Sequence, residues 1–197
     1  MRFDTRKGSE CAKGDASLLL DHGAWGRGVL ILVGIGSNRG DSFAIVRQSI
    51  ARLRAFANGP VRVSSLWRTS PVDCPPDSGD FINAVAAFEG AVGLTPETLL
   101  AGLKALEREF GRSVAPVRNA PRELDLDLLV FGDERRATSE FVLPHPRAVE
   151  RRFVMAPALE VAPDLRWPGT DATVAELAAR IDDGERVERL AAGAFEC

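Results

Sequence analysis

Four residues in one short segment are the best equipped in this chain to do chemistry. The segment reads Arg118-Asn119-Ala120-Pro121-Arg122-Glu123-Leu124-Asp125-Leu126-Asp127-Leu128-Leu129. Side chains on a strand alternate faces, so Leu124, Leu126 and Leu128 point one way and Asp125 and Asp127 the other. The leucines can fill a core. The two aspartates then stand side by side with no lysine between them. Adjacent carboxylates repel each other, and a cation between them relieves that repulsion. Paired hard oxygen ligands suit Mg²⁺, which takes one or two carboxylates together with substrate phosphates. Arg118 and Arg122 suit the same phosphates. The apolar run continues through Val130 and Phe131, which argues for a central strand rather than an exposed edge. The segment points to Mg²⁺-nucleotide chemistry more than to a solvated acidic face.

The elements that must position this segment are legible from periodicity. Val29 to Val33 is a continuous apolar run, read as a buried strand, with Gly34 to Asp41 as a tight loop after it. Val46, Ile50, Leu53 and Ala57 recur at helical spacing, and Asn58-Gly59-Pro60 ends that helix. Residues 61–68 read as a strand, 69–80 as a proline-rich loop and 81–88 as another strand. Thr95-Pro96-Glu97 starts a helix with a capping hydroxyl and an early proline, and Leu99, Leu103, Leu106 and Phe110 mark its apolar face. Gly111 is placed to end it. An arginine loop spans 112–122 and the aspartate strand follows to Phe131. Phe141-Val142-Leu143 is short and extended, residues 147–160 read as helical despite Pro157, and the tail from 171 to 190 as a small helix and a short extended piece. The order strand–helix–strand–strand–helix–strand is the split βαβ pattern of ferredoxin-like α+β folds. It predicts an antiparallel sheet with helices packed on one face and the other face open to a ligand unless loops cover it.

Composition sets bounds. The chain has 197 residues and a net charge of −3, from 25 basic and 28 acidic residues. No global basic field suggests nucleic acid, and the positive charge is local: Arg112, Arg118 and Arg122 with no acid among them. Cys11, Cys74 and Cys197 are widely spaced and odd in number, which fits neither a disulfide framework nor a zinc pattern and suits a reducing cytoplasm. No stretch is long and apolar enough to span a membrane. Residues 1–28 lack a continuous apolar run and are rich in Gly, Asp, Lys and Ser; they read as a flexible extension, and residues 29–197 as one domain.

Some motifs mislead. Gly34-x-Gly36 after a strand suggests dinucleotide binding, but Arg39 stands where the third glycine belongs. A Gly-x-x-x-x-Gly-Lys-Ser/Thr phosphate loop is absent. The only histidines are His22 and His145, and no nucleophile elbow accompanies them.

At this point the chain resembles the 6-hydroxymethyl-7,8-dihydropterin pyrophosphokinases of folate synthesis, over roughly residues 29–170. The matching pieces come in order. They are Gly36-Ser37-Asn38, Ser64-Ser65-x-Trp67-Arg68-Thr69-x-Pro71, Phe81-Ile82-Asn83-Ala84 and Leu106-Glu107-x-x-x-Gly111-Arg112. Arg118-x-Ala120-Pro121-Arg122-x-x-Asp125-Leu126-Asp127, Pro144-His145-Pro146 and Arg151-x-Phe153 complete the set.

The resemblance implies transfer of the β,γ-pyrophosphate of ATP to the pterin hydroxymethyl group with release of AMP. It implies two Mg²⁺ ions on Asp125 and Asp127, and a triphosphate gripped by Arg112 and Arg122, with Arg118, Arg151 and His145 close by. It adds Glu107 and Leu128 to the ATP site. It implies a pterin slot in which Phe81 and Phe153 sandwich the ring, Asn83 reads its amide edge, and the backbone of Thr69, Ser70 and Val72 closes the rim. By themselves both phenylalanines read as core, Asn83 as a strand-end residue, and His145 as a ring fixed between two prolines. The loops at 69–80 and 111–122 are expected to close over the substrates. The implied partners are a small-molecule pterin and ATP, with no nucleic acid or membrane, for a cytoplasmic monomer.

Departures from the common pattern are Val114 in place of a second basic residue, Asn119 in place of an aromatic one, and Glu140 where a basic residue often lies. They bear on nucleotide affinity and rate more than on the pterin slot. A divergent enzyme acting on another pterin and a non-catalytic pterin or nucleotide binder are the alternatives, with a dinucleotide-dependent oxidoreductase a distant one.

Overall fold

The computed structural model describes residues 28–71, 74–75, 78–111, 121–182, 184 and 186–190. Its first apolar run forms strand β1, Leu30–Ser37, longer than the sequence predicts: Gly34 to Ser37 continue the strand, and the turn begins only at Asn38. Helix α1, Ser42–Leu53, starts where the Asp41 carboxylate accepts the Ala44 N–H at 3.0 Å. The expected strand over 61–68 is instead two pieces, β2, Arg62–Val63, and β3, Trp67–Thr69. Between them the Ser64 hydroxyl takes the Val85 N–H at 3.0 Å, and Leu66 drops into the core. Strand β4, Phe81–Glu89, runs unbroken beside them.

Helix α2, Pro96–Glu109, begins with a reciprocal Thr95–Thr98 capping box. Gly111 follows it with φ +102°, a left-handed conformation that glycine adopts without a Cβ clash. Strand β5, Asp125–Phe131, carries the two aspartates. A small hairpin of β6, Arg136–Ala137, and β7, Val142–Leu143, leads to a 3₁₀ turn at Ala148–Glu150. Extended backbone at Arg151 separates that turn from helix α3, Arg152–Val161, which contains Pro157 as expected. Helix α4, Val174–Ala178, and strand β8, Val187–Arg189, complete the described chain.

The main sheet has the order β5-β1-β4-β3-β8, with β2 also pairing β4, and every pairing is antiparallel. This is the predicted ferredoxin-like split βαβ arrangement. Two expectations change. Strand β5 is at the end of the sheet, not its centre; its apolar residues are buried because helices pack on both sheet faces. The second correction is that those helices occupy both faces.

Strand alternation explains the two layers, with one exception: a register shift in the β1–β5 ladder between Leu32 and Val33 leaves consecutive Leu129 and Val130 on the same face. Ile31, Val33, Ile35, Leu126 and Leu128 face α1 and α2, meeting Val46, Leu53, Leu99, Leu103 and Leu106. Leu32, Val85, Ala87, Leu129 and Val130 face the other way, meeting Met155, Ala158 and Val161 of α3. Farther along that second face the sheet offers Gly34, Gly36, Asn83, Asp125 and Asp127, which give an apolar helix nothing to pack on. There α3 stops covering the sheet and a cavity opens.

Candidate active site

The cavity has a volume of about 220 Å³. Strand β1 contributes Gly34 and Gly36, which carry no side chains into it. Their cross-strand partners in β5 are Asp127 and Asp125, so the carboxylates rise beside bare backbone. A Cβ on Gly34 would lie 3.5 Å from Leu129 Cδ2, and one on Gly36 only 2.8 Å from Asn83 Oδ1. The Gly-x-Gly pair therefore keeps a cavity wall bare within a strand, rather than forming a dinucleotide loop.

Ten of the predicted residues meet here: Thr69, Ser70, Phe81, Asn83, Arg122, Asp125, Asp127, His145, Arg151 and Phe153. Arg122 Nη1 donates to Asp125 Oδ1 at 2.7 Å. Its backbone is pinned to the end of β1: Asn38 Oδ1 accepts the Arg122 N–H at 2.8 Å, and the Asn38 N–H donates to the Arg122 carbonyl at 3.1 Å. Burial works against the Arg122 charge, but Asp125, Asp127 and Glu107 together outweigh burial, Asp125 foremost, and hold the guanidinium above its ordinary pKa. Asn83 Nδ2 donates to Thr69 Oγ1 at 2.8 Å. The His145 N–H donates to the Leu129 carbonyl at 3.0 Å, and burial pushes its imidazole below the usual value while Asp127 pulls it up. The Arg151 guanidinium lies 5.3 Å from the centre of the Phe153 ring, within cation–π range.

The carboxylate pair has the electrostatics of a cation site. Burial, and then the neighbouring Asp125, push the Asp127 carboxyl above the ordinary carboxylate range. Among the described residues no group of three or more Asp, Glu, His or Cys gathers as a metal cage. Two carboxylates with coordination positions left for phosphate oxygens fit Mg²⁺ better than a cation that needs an all-protein cage.

Two predicted contacts lie elsewhere. Glu107 is fully buried and does not line the cavity. Its Oε1 accepts the Leu126 N–H at 2.8 Å and Lys104 Nζ at 3.0 Å, while Lys104 Nζ also donates to the Leu126 carbonyl at 3.2 Å. This pair from α2 clamps the backbone between the two aspartates. The Leu128 side chain is in the core beneath the sheet, because strand parity puts it with Leu126, and Leu129 lines the cavity instead. Val72, Arg112 and Arg118 lie outside the described residues. Arg147, Cys74 and Leu129 also line the cavity and were not singled out from the sequence. The Pro-His-Pro-Arg run was the available signal for Arg147; nothing local marked Cys74.

Residues 32–163 match the family model described as 7,8-dihydro-6-hydroxymethylpterin-pyrophosphokinase (HPPK). The chain is 37% identical to the 2-amino-4-hydroxy-6-hydroxymethyldihydropteridine pyrophosphokinase of Bacillus subtilis, over 76% of this chain and 87% of that one. It is 40% identical to the enzyme of the same name from Pseudomonas aeruginosa, over 70% of this chain and 83% of the relative. The solved structure of wild-type Plasmodium falciparum HPPK-DHPS superposes with a TM-score of 0.58 at 12% identity, covering 78% of this chain and 44% of that one, a likeness of fold. By the family match across most of its length, the chain belongs to the 7,8-dihydro-6-hydroxymethylpterin-pyrophosphokinase family.

Proposed function

We propose that the protein transfers the pyrophosphoryl group of ATP to the hydroxymethyl oxygen of 6-hydroxymethyl-7,8-dihydropterin, giving AMP and the pterin diphosphate. The observation that carries this reading is a single cavity in which Arg122, Asp125 and Asp127 stand together with Phe81, Asn83 and Phe153. A phosphate-handling set and a flat-ring set share one cavity.

In the transfer, the substrate hydroxyl oxygen bonds to the β-phosphorus, the bond from that phosphorus to the α,β-bridging oxygen breaks, and AMP leaves with the oxygen. The hydroxyl proton goes to solvent. Asp125 and Asp127 would hold two Mg²⁺ ions, which supply charge neutralisation across the phosphates. Arg122, already paired with Asp125, orients the transferred group. Arg112 and Arg118 extend the phosphate grip, joined by His145 and Arg151 from the segment between β7 and α3. Leu128 meets the nucleotide through its backbone, since its side chain is committed to the core. Phe81 and Phe153 stack on the pterin, and Asn83 pairs with its amide edge. Stacking contributes about 0.5–1.5 kcal/mol beyond burial, and the unpaired polar edge of a wrong ring costs more, so Asn83 sets specificity. Positioning and charge stabilisation supply the rate, and no general base is required. Residues 29–197 act as one cytoplasmic, monomeric pyrophosphokinase domain, with residues 1–28 as an extension.

The test is AMP release from ATP and Mg²⁺ with and without the pterin. Pterin-dependent AMP with a pyrophosphorylated pterin as co-product supports the assignment. Saturable binding of both ligands without AMP overturns it in favour of a binding protein. AMP release that needs a different pterin moves it to a divergent enzyme.

A further inference from the structure

Asn83 is held by two residues from different strands. It stands opposite Gly36 in the β1–β4 ladder and opposite Trp67 in the β3–β4 ladder. Asn83 is 6% exposed and Thr69 3%. The Asn83 Nδ2 to Thr69 Oγ1 hydrogen bond, at 2.8 Å, fixes the plane of the amide. The carbonyl oxygen Oδ1 lies over Gly36, 2.8 Å from where a Cβ would be. That closeness also bears on which way round the amide sits. A bare oxygen fits against the Gly36 hydrogens, whereas an NH₂ group there would set hydrogen against hydrogen.

We infer that Thr69 and Gly36 are positioning residues that fix the plane and the hand of the Asn83 amide, and so decide which ring edge the cavity accepts. The inference rests on the pterin reading of the site. Locked this way, Asn83 presents Oδ1 as an acceptor and keeps the second hydrogen of Nδ2 as a donor. This pattern pairs with the ring N–H and carbonyl of a pterin. It opposes the ring nitrogen and amino group of a 2,4-diamino analogue, whose pattern is reversed. The Thr69 hydroxyl thus has a task apart from any backbone contact with substrate, and Gly36 is required for the space it leaves.

The experiment is calorimetric titration of 6-hydroxymethylpterin and of its 2,4-diamino analogue, with Mg²⁺ and α,β-methylene-ATP present. A parallel titration follows the nucleotide analogue alone. Thr69→Val keeps shape and removes the hydroxyl; it is expected to weaken pterin binding about tenfold, narrow the preference for pterin over the diamino analogue, and leave nucleotide affinity unchanged. Thr69→Ser is expected to restore both pterin affinity and preference. Gly36→Ala is expected to displace the amide and lose pterin while retaining nucleotide. A Thr69→Val protein that binds and discriminates like wild type, that loses pterin and nucleotide together, or that Ser does not rescue overturns the inference alone. Failure of the wild type to bind pterin at all overturns the proposed activity and the inference with it.

Discussion

Asp127 carries the sharpest conflict between stability and function in this molecule. Its carboxyl is raised by burial and by Asp125, so the native state holds that proton more tightly than the unfolded chain does. The sign follows: this contribution to stability is present below the unfolded carboxylate value of about 3.9 and is lost as pH climbs through the raised native value. In metal-free protein near neutral pH, Asp127→Asn is therefore expected to raise the melting temperature and flatten that part of the pH slope. In the transfer assay the same variant is expected to lose at least about 10²–10³-fold in rate. Melting curves across the acid-to-neutral range, run beside the AMP assay, check both; a lowered melting temperature or an active variant would contradict the cation-site assignment. Phe153 gives a second prediction. Its ring lines the cavity and lies under Arg151, and Phe153→Ala is expected to weaken pterin binding by about 2 kcal/mol and nucleotide binding by less. Equal losses in paired titrations would make it a packing residue.

At the scale of elements, the α2–β5 contact sets the geometry of the aspartates. Strand β5 ends the sheet, so the backbone of Leu126 needs partners beyond β1, and Glu107 and Lys104 provide them. Glu107→Ala would leave the buried Leu126 N–H without its acceptor, at a cost of about 1–3 kcal/mol, whereas Glu107→Gln retains an acceptor oxygen and costs less. Urea unfolding separates the two; equal stability of the Ala variant would remove the clamp from the account. The Thr95 cap of α2 was legible in the sequence because it depends on residues three apart. The clamp was not, because it joins a helix to a strand beyond the segment 112–120.

For the whole molecule, the two helical layers divide the labour. α1 and α2 cover one sheet face, while α3 covers only the apolar part of the other and leaves its polar end as the cavity. The carboxylates therefore line a cavity instead of holding the core together. Removing Mg²⁺ with EDTA is accordingly expected to stop AMP release while far-ultraviolet circular dichroism stays native. Mg²⁺–nucleotide at a hundredfold over its dissociation constant is expected to add about 2.7 kcal/mol of apparent stability, a gain that EDTA cancels. Unfolding on EDTA treatment would instead make the metal structural.

The sequence by itself determined the strand parity that separates Asp125 and Asp127 from Leu124, Leu126 and Leu128, the Thr95 cap and Gly111 end of α2, and the element order behind the ferredoxin-like sheet; the Asp41 cap of α1 and its end at Leu53, short of the expected Asn58-Gly59-Pro60, came only with the structure. The former features follow from dihedral preference and short-range period, which act between near neighbours in the chain. Its motifs also marked ten residues that the fold gathers into one cavity. Only the tertiary structure decided that β5 ends the sheet, that α3 covers the second face in part, that Glu107 supports β5 from within the core, and that Gly36 lies under the Asn83 amide. Each depends on register or packing between segments far apart in sequence, where no local period carries the information.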